Sequence, residues 1–451
     1  MKKQENVLLE GNMMKTLIRF SFPFLLAMLL QTLYGAADLI IVGRYSATSE
    51  VSGVAIGSQV MALITNMIVG FTSGITILLG RYIGAGNKRK LRRILGSSII
   101  FFFILAVVIV VGMFALNDKT VQLMQTPVEA ISPAKKYLLV CSVGVFFIMG
   151  YNIVRGIMMG LGDSKTPLLC VLIACILNVG GDIILVKYFH LGALGAAIAT
   201  SISQAASFLF SLFYLYKKGI GFKFKRKNIN LLKEETWDIL KMGVPLAVQN
   251  TLVIFSFLAI TAITNRMGVV VSASVGIVEK IMEFIPMPSF ALSTAISVVV
   301  AQNYGARKYK RTKECMYVGM LITTIIAIFA YISCQFFSEN MTGLFSKDMD
   351  VVRSAGEYLR GYSLDCIMIS LVFSFNGFFI GYGKTNFTMI HSIATSSIVR
   401  IPLVYYFCLI AEKPLYILGF ACPISTAVSL IICLIYWKNF NILKERKYSF
   451  S

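Results

Sequence analysis

The chain has 451 residues, of which 57% are apolar and only 14% charged, with a mean hydropathy of +0.77. Soluble domains carry about 25% charged residues, so a large soluble protein is excluded: this little polar surface cannot cover that much apolar chain. The net charge of +21 would suggest nucleic acid in a soluble protein, but here Lys and Arg lie in short runs between apolar stretches, where they orient helices and touch anionic lipid. No nucleic-acid partner is expected.

The first residues, Met1-Lys2-Lys3-Gln4-Glu5-Asn6, are polar, and the apolar stretch that follows lacks a small-residue cleavage site, so no cleaved signal peptide is expected. Windows of bilayer-spanning length then recur at 15–41, 52–79, 94–116, 134–160, 167–188 and 193–216. After a basic connection they resume at 236–263, 271–300, 314–337, 354–380, 387–410 and 417–437. The expected class is an all-α integral membrane protein with twelve transmembrane helices. Alternate connections hold about 28 and about 9 Lys and Arg residues, which places both termini in the cytoplasm and the chain in the cell membrane. The expected division is a six-helix lobe at 1–220, a cytoplasmic linker at 221–235 and a second lobe at 236–451.

The two halves repeat. A shift of about 221 residues lays Ile83-Gly84-Ala85 on Tyr304-Gly305-Ala306, and Gly156, Gly160 and Gly162 on Gly377, Gly381 and Gly383. Pro23 pairs with Pro245, and Leu194-Gly195 with Leu418-Gly419. Six is even, so both copies enter from the same side as parallel repeats. Transporters of that kind bind substrate near mid-membrane between the repeats and rock about the site.

Polar residues inside apolar spans are costly, which singles them out for an interior site or a structural hydrogen-bond network. In the first span Gln31, Tyr34 and Asp38 share a face, and Asp38 has no basic residue within reach on its own helix. The fifth span carries Asn178 and Asp182 four residues apart. The sixth offers Thr200, Ser201, Ser203 and Gln204, and the fourth Tyr137, Tyr151 and Asn152. Two carboxylates among amide and hydroxyl oxygens can take a proton or Na⁺, and either removes a buried charge. In the eighth span Glu279 and Glu283 share a face, and Lys280 can pair with one of them. Position 38 matches Ile260–Thr261 in the second half, and the eleventh span has His391, Ser392 and Arg400 where the fifth has its Asn and Asp. The acid pair therefore belongs to the first half alone. Asp365 is a further acid in the tenth span, and Arg155, Arg360 and Arg400 are available to pair with acids. The nine cysteines include no CxxC and read as small apolar residues rather than metal ligands.

Several stretches, taken together and in order, resemble the multidrug and toxic compound extrusion (MATE) family. They are Gln31-Thr32-Leu33-Tyr34 with Asp38 and Val42-Gly43-Arg44, Gly162-Asp163-Ser164-Lys165-Thr166-Pro167, Asn178 with Asp182, Leu194-Gly195-Ala196-Ala197-Ile198-Ala199-Thr200, and Ala301-Gln302-Asn303-Tyr304-Gly305-Ala306. The resemblance implies two six-helix lobes and antiport of cationic, amphipathic drugs against H⁺ or Na⁺. It is nearest the DinF-like branch, whose coupling-ion residues correspond here to Asp38, Asn178, Asp182 and Thr200, with Tyr137 as a neighbour. The first four would be the ligands if the ion is Na⁺. The NorM-like branch relies instead on acids in the seventh and tenth helices, and this chain has Gln249-Asn250 in the seventh. Met159 stands where relatives carry an Arg, with Arg155 one turn earlier.

The expected function is therefore export of small cationic drugs by alternating access, by a monomer in lipid with no cofactor beyond the coupling ion. Gln31, Tyr34, Asn152, Gln204, Gln249, Glu279 and Glu283 are the candidates for the substrate cavity. The alternative is a flippase for a lipid-linked saccharide, which would draw on Arg155, Lys280, Arg360 and Arg400. No HExxH or GxSxG motif and no P-loop supports an enzyme or an ATP-driven pump.

Overall fold

The computed structural model describes residues 8–219, 224–409 and 415–448, the last eight of these by backbone alone. Its first six helices are α1 (Met13–Tyr45), α2 (Thr48–Gly84), α3 (Lys88–Leu123), α4 (Val128–Gly160), α5 (Lys165–Tyr188) and α6 (Gly192–Lys218). The second six are α7 (Lys233–Met267), α8 (Val269–Gly305), α9 (Tyr309–Gly343), α10 (Met349–Ser363 and Asp365–Gly381), α11 (Thr385–Leu409) and α12 (Leu415–Phe440). Eleven are long and apolar enough to cross a bilayer singly, and the two segments of α10, bent by 41°, make the twelfth. Among the described residues there is no strand. The all-α, twelve-span reading therefore holds.

The repeat is visible in how helices end. After α2 the N–H groups of Ala85, Gly86 and Asn87 return to the carbonyls of Arg81, Ile83 and Tyr82. After α8, Ala306, Arg307 and Lys308 return to Gln302, Tyr304 and Asn303 in the same pattern. The ends of α4 and α10 match likewise, through Leu161, Gly162 and Asp163 in one and Tyr382, Gly383 and Lys384 in the other. Such closures need one residue in the left-handed region, where glycine is favoured. Gly162 (φ +85°), Gly383 (φ +73°) and Gly86 (φ +65°) fill three of the places, and Arg307 (φ +61°) fills the fourth. The fourth helix of each repeat also approaches the second closely. A Cβ on Gly156 would lie 2.9 Å from Thr76 Oγ1, and one on Gly377 would lie 2.5 Å from the Ser293 carbonyl oxygen. Small residues are what permit helix backbones to pack this closely in a membrane.

The chain forms two compact units. The first gathers Arg19–Ala247 and Ala301–Lys308 with the described residues before Asn12. The second gathers Asn12–Ile18, Val248–Val300 and the described residues from Tyr309 on.

Within the first unit the connection that follows α6 is strapped to the start of α3. Ser97 Oγ donates to the Asn230 carbonyl at 3.0 Å and accepts from the Leu232 N–H at 3.1 Å. Gly96 leaves room for the Asn228 carbonyl, which any Cβ there would strike. Glu235, fully buried, receives Arg93 at 2.8 Å and Lys90 at 3.2 Å. The same unit takes in the end of α8, where Gln302 Nε2 donates to the Gly160 carbonyl at 2.7 Å and Asn303 Nδ2 to the Leu8 carbonyl at 3.0 Å.

The second unit has its own apolar core, in which Ile260, Val275, Val278, Tyr358, Leu359, Val404 and Leu418 are buried together.

Candidate functional site

In the first unit, α5 and α6 approach closely because Gly181 faces Ala199: a Cβ on the glycine would lie 3.0 Å from the alanine methyl. This brings Asn178 and Asp182 on α5 against Thr200 on α6. The Thr200 hydroxyl accepts from Asn178 Nδ2 at 3.3 Å and donates to Asp38 Oδ2 on α1 at 3.4 Å. The Asp38 carboxyl is also within hydrogen-bonding reach of Asp182 and Asn178. Asn178 and Asp182 are fully buried and Asp38 is 5% exposed. Three helices thus converge on two acids, an amide and a hydroxyl, and no basic side chain is among the groups acting on either acid.

The site's chemistry follows from its unused atoms. Asp38 Oδ1, Asn178 Oδ1 and both carboxylate oxygens of Asp182 are buried without a hydrogen-bond donor. With both acids charged, their contact is repulsive and cannot be a hydrogen bond. It becomes one when either carries a proton. The alternative remedy is a small hard cation held by these oxygens, which is the donor set Na⁺ prefers to thiolate or imidazole. Among the described residues no group of three or more His, Cys, Asp and Glu side chains is placed to hold a metal ion.

The helix beneath Asp182 changes form. Residues Ile183–Tyr188 are π-helical, and in the second repeat Ala394–Arg400 of α11 are as well. Such widened turns recur at functional sites, where they re-aim side chains.

The other sequence candidates are distributed as follows. Tyr34, half-buried on α1, accepts from Gln204 Nε2 on α6 at 3.2 Å, so these two adjoin the acid pair. Gln31 is half-buried on the same helix. Tyr137 on α4 is buried near Asp38 and accepts from Ser58 Oγ on α2 at 3.4 Å. Its ring lies over Gly57, where no Cβ would fit. Asn152 turns back on its own helix, donating to the Ile148 carbonyl at 2.8 Å, and Arg155 lies over the Phe24 ring at 4.9 Å. In the second unit Gln249 Nε2 donates to Ser392 Oγ at 3.1 Å. Glu279 receives the Thr261 hydroxyl at 3.2 Å, while exposed Glu283 pairs with Lys280 at 3.3 Å. Ser58, and Cys141 beside Tyr137, escaped the sequence reading. One hydroxyl among the several serines and threonines of α2 and a lone thiol in α4 carry no spacing signal.

The MatE family profile matches this chain twice, at residues 23–184 and 245–406, two stretches set 222 residues apart at both ends. "Probable multidrug resistance protein YpnP" of Bacillus subtilis (strain 168) is 26% identical over 88% of this chain and 89% of its own length. "Multidrug export protein MepA" of Staphylococcus aureus (strain MSSA476) is 23% identical over 87% and 86%. Among solved structures, "Crystal structure of MATE in complex with MaL6" superposes with a TM-score of 0.91 over 99% of both chains at 22% identity, a likeness of fold.

Proposed function

This chain belongs to the MatE family of membrane transporters, and on that premise we propose that it is a secondary antiporter exporting cationic, amphipathic compounds in exchange for H⁺ or Na⁺. The names of its relatives, one a multidrug resistance protein and one a multidrug exporter, support the direction and the substrate class. The observation that carries the reading is the meeting of Asp38 and Asp182 with Thr200 and Asn178, two buried acids without a basic partner. Such a pair is stable only when one negative charge is cancelled. Binding H⁺ or Na⁺ converts repulsion between α1 and α5 into attraction, which biases these helices between two packings. Substrate held near Gln31, Tyr34 and Gln204 is released in one packing and bound in the other. Tyr137, beside Asp38, completes the ion site, and Asn152 in the first unit and Gln249, Glu279 and Glu283 in the second are further substrate contacts.

In this scheme lobes 1–220 and 236–451, joined by linker 221–235, alternate in a rocker-switch cycle. The protein works as a monomer in the cell membrane, with both termini in the cytoplasm. One charge returning across 100 mV supplies about 2.3 kcal/mol, which the outward passage of a monovalent cation cancels in one-for-one exchange, so the concentration gradient of the coupling ion sets the accumulation. Transport of a lipid-linked saccharide would need free cations for its pyrophosphate. Two of the four basic candidates are instead ion-paired, Arg360 to Glu339 at 3.2 Å and Lys280 to Glu283 at 3.3 Å.

The test is efflux of a fluorescent organic cation from proteoliposomes under an imposed Na⁺ or pH gradient, one at a time. One gradient should drive efflux by the wild type, and Asp38→Asn and Asp182→Asn should each abolish that response. Ion-driven efflux at the wild-type rate in both variants would overturn the assignment.

A further inference from the structure

We propose that Arg400 is a tethered cation in the second repeat, standing where the first repeat takes a mobile one, so that the buried Asp365 of the second unit needs no coupling ion. The inference rests on reading Asp38 and Asp182 as the mobile-ion site. Three observations carry it.

The first is position. The two family matches pair residues 23–184 with 245–406, and α11 carries Arg400 where its counterpart α5 carries Asn178 and Asp182. Asp182 directly precedes the π-helical turn Ile183–Tyr188, and Arg400 is the last residue of the π-helical turn Ala394–Arg400. The second half therefore keeps a π-helical turn in this helix and sets a guanidinium at it, where the first half sets a carboxylate.

The second is burial without a direct ion pair. Arg400 is 8% exposed and Asp365 5% exposed. The guanidinium lies 5.1 Å from the centroid of the Phe257 ring on α7, and Asp365 on α10 is the acid within its electrostatic reach. Arg400 Nε and Asp365 Oδ1 are each buried without a hydrogen-bond partner, and the Thr426 hydroxyl on α12 lies beside the Asp365 carboxyl. A fixed cation that keeps one unused donor near an acid with an unused acceptor is a charge balance rather than a closed structural clasp.

The third is the surroundings. The groups facing the pair are Tyr362 on α10, Cys422 on α12 and Tyr358 on α10, all ordinarily neutral. The remaining acid, Glu279 on α8, is engaged by Thr261. Tyr358, Tyr362 and Cys422 themselves belong to the second unit's apolar core, and Phe257 packs against it. In such a setting an unbalanced carboxylate must find a counter-charge or a proton.

The consequence is testable without transport. Thermal unfolding of the purified full-length protein in detergent is followed as sodium replaces choline at fixed ionic strength, and separately from mildly alkaline to mildly acidic pH. Arg400→Gln should lower the melting temperature and gain a stabilising response to sodium or acid, about 2–4 °C or more beyond that of the wild type. Arg400→Lys should keep the wild-type response. Adding Asp365→Asn to Arg400→Gln should restore stability and remove the gained response. The proposal is overturned if Arg400→Gln responds to sodium and acid as the wild type does. It is equally overturned if the double variant keeps the gained response, or folds no better than Arg400→Gln alone. Should the ion-coupling reading of the first unit be wrong, the wild type would lose its own cation response while Arg400→Gln still acquired one.

Discussion

At the scale of single residues, Thr200 is the joint of the candidate site, because one hydroxyl accepts from Asn178 and donates to Asp38. Thr200→Val keeps the shape and deletes both bonds. The coupling ion should then be needed at about 10–100-fold higher concentration for half-maximal efflux, with wild-type expression. Asp163, in the loop between α4 and α5, makes a prediction of opposite kind. Burial alone would raise its carboxyl pKa, but the Lys218 ammonium at 2.6 Å and the hydroxyl and N–H of Thr166 outweigh that and hold it below the ordinary range. A depressed carboxylate stabilises above its unfolded value and loses that contribution as pH falls through the folded one. Asp163→Asn should therefore lower the melting temperature at neutral pH, and the gap to the wild type should close below about pH 4. The acids were legible in the sequence because Asp38 lies four residues beyond Tyr34, and Asp182 four beyond Asn178, inside apolar helices. The inward turn of Asn152 was not, since its own helix carbonyl competes for the amide and spacing cannot show which partner wins.

At the scale of elements, the matched helix ends identify one residue that the repeat itself would correct. Arg307 occupies the left-handed position that Gly86 holds in the other copy. A side chain there costs about 1–2 kcal/mol, partly offset by the extra freedom glycine has when unfolded. Arg307→Gly should thus be neutral or raise stability by up to about 1 kcal/mol, measured by thermal unfolding in detergent. Gly96 makes the contrary case. Gly96→Leu would drive a side chain into the Asn228 carbonyl and lift the strap from α3. Trypsin should then cut faster at Arg226 and Lys227 than in the wild type, and unchanged cleavage would refute the strap. The helices could be read from hydropathy, and the match between the two halves from glycine spacing. The π-helical turns could not, because Ile183–Tyr188 has the same apolar composition as the α-helix before it and the widening depends on what packs beside it.

At the scale of the whole molecule, the duplication was legible because glycines that allow close packing recur at one offset. The family profile finds the same duplication in its two matches. What sequence alone leaves hidden is the membership of the compact units. The first unit reaches past the linker to Ala247 and takes back Ala301–Lys308. Hydropathy cannot reveal this, because the assignments rest on contacts such as Gln302 with the Gly160 carbonyl, between residues 142 positions apart.

That returning segment has a consequence for biogenesis. A ribosome that has released only the first repeat and its strap has not yet made residues 301–308, so the Gly160 carbonyl still lacks its donor and Gly84 lacks the backbone it packs against. The first repeat therefore matures only after most of α8 has been synthesised. A gene divided in the 221–235 linker should give a first fragment that is degraded when made alone. Co-expression of the second fragment should rescue it, and should fail to do so once the Gln302 side chain is removed. The ancestral duplication thus left two halves that cannot be assembled one after the other.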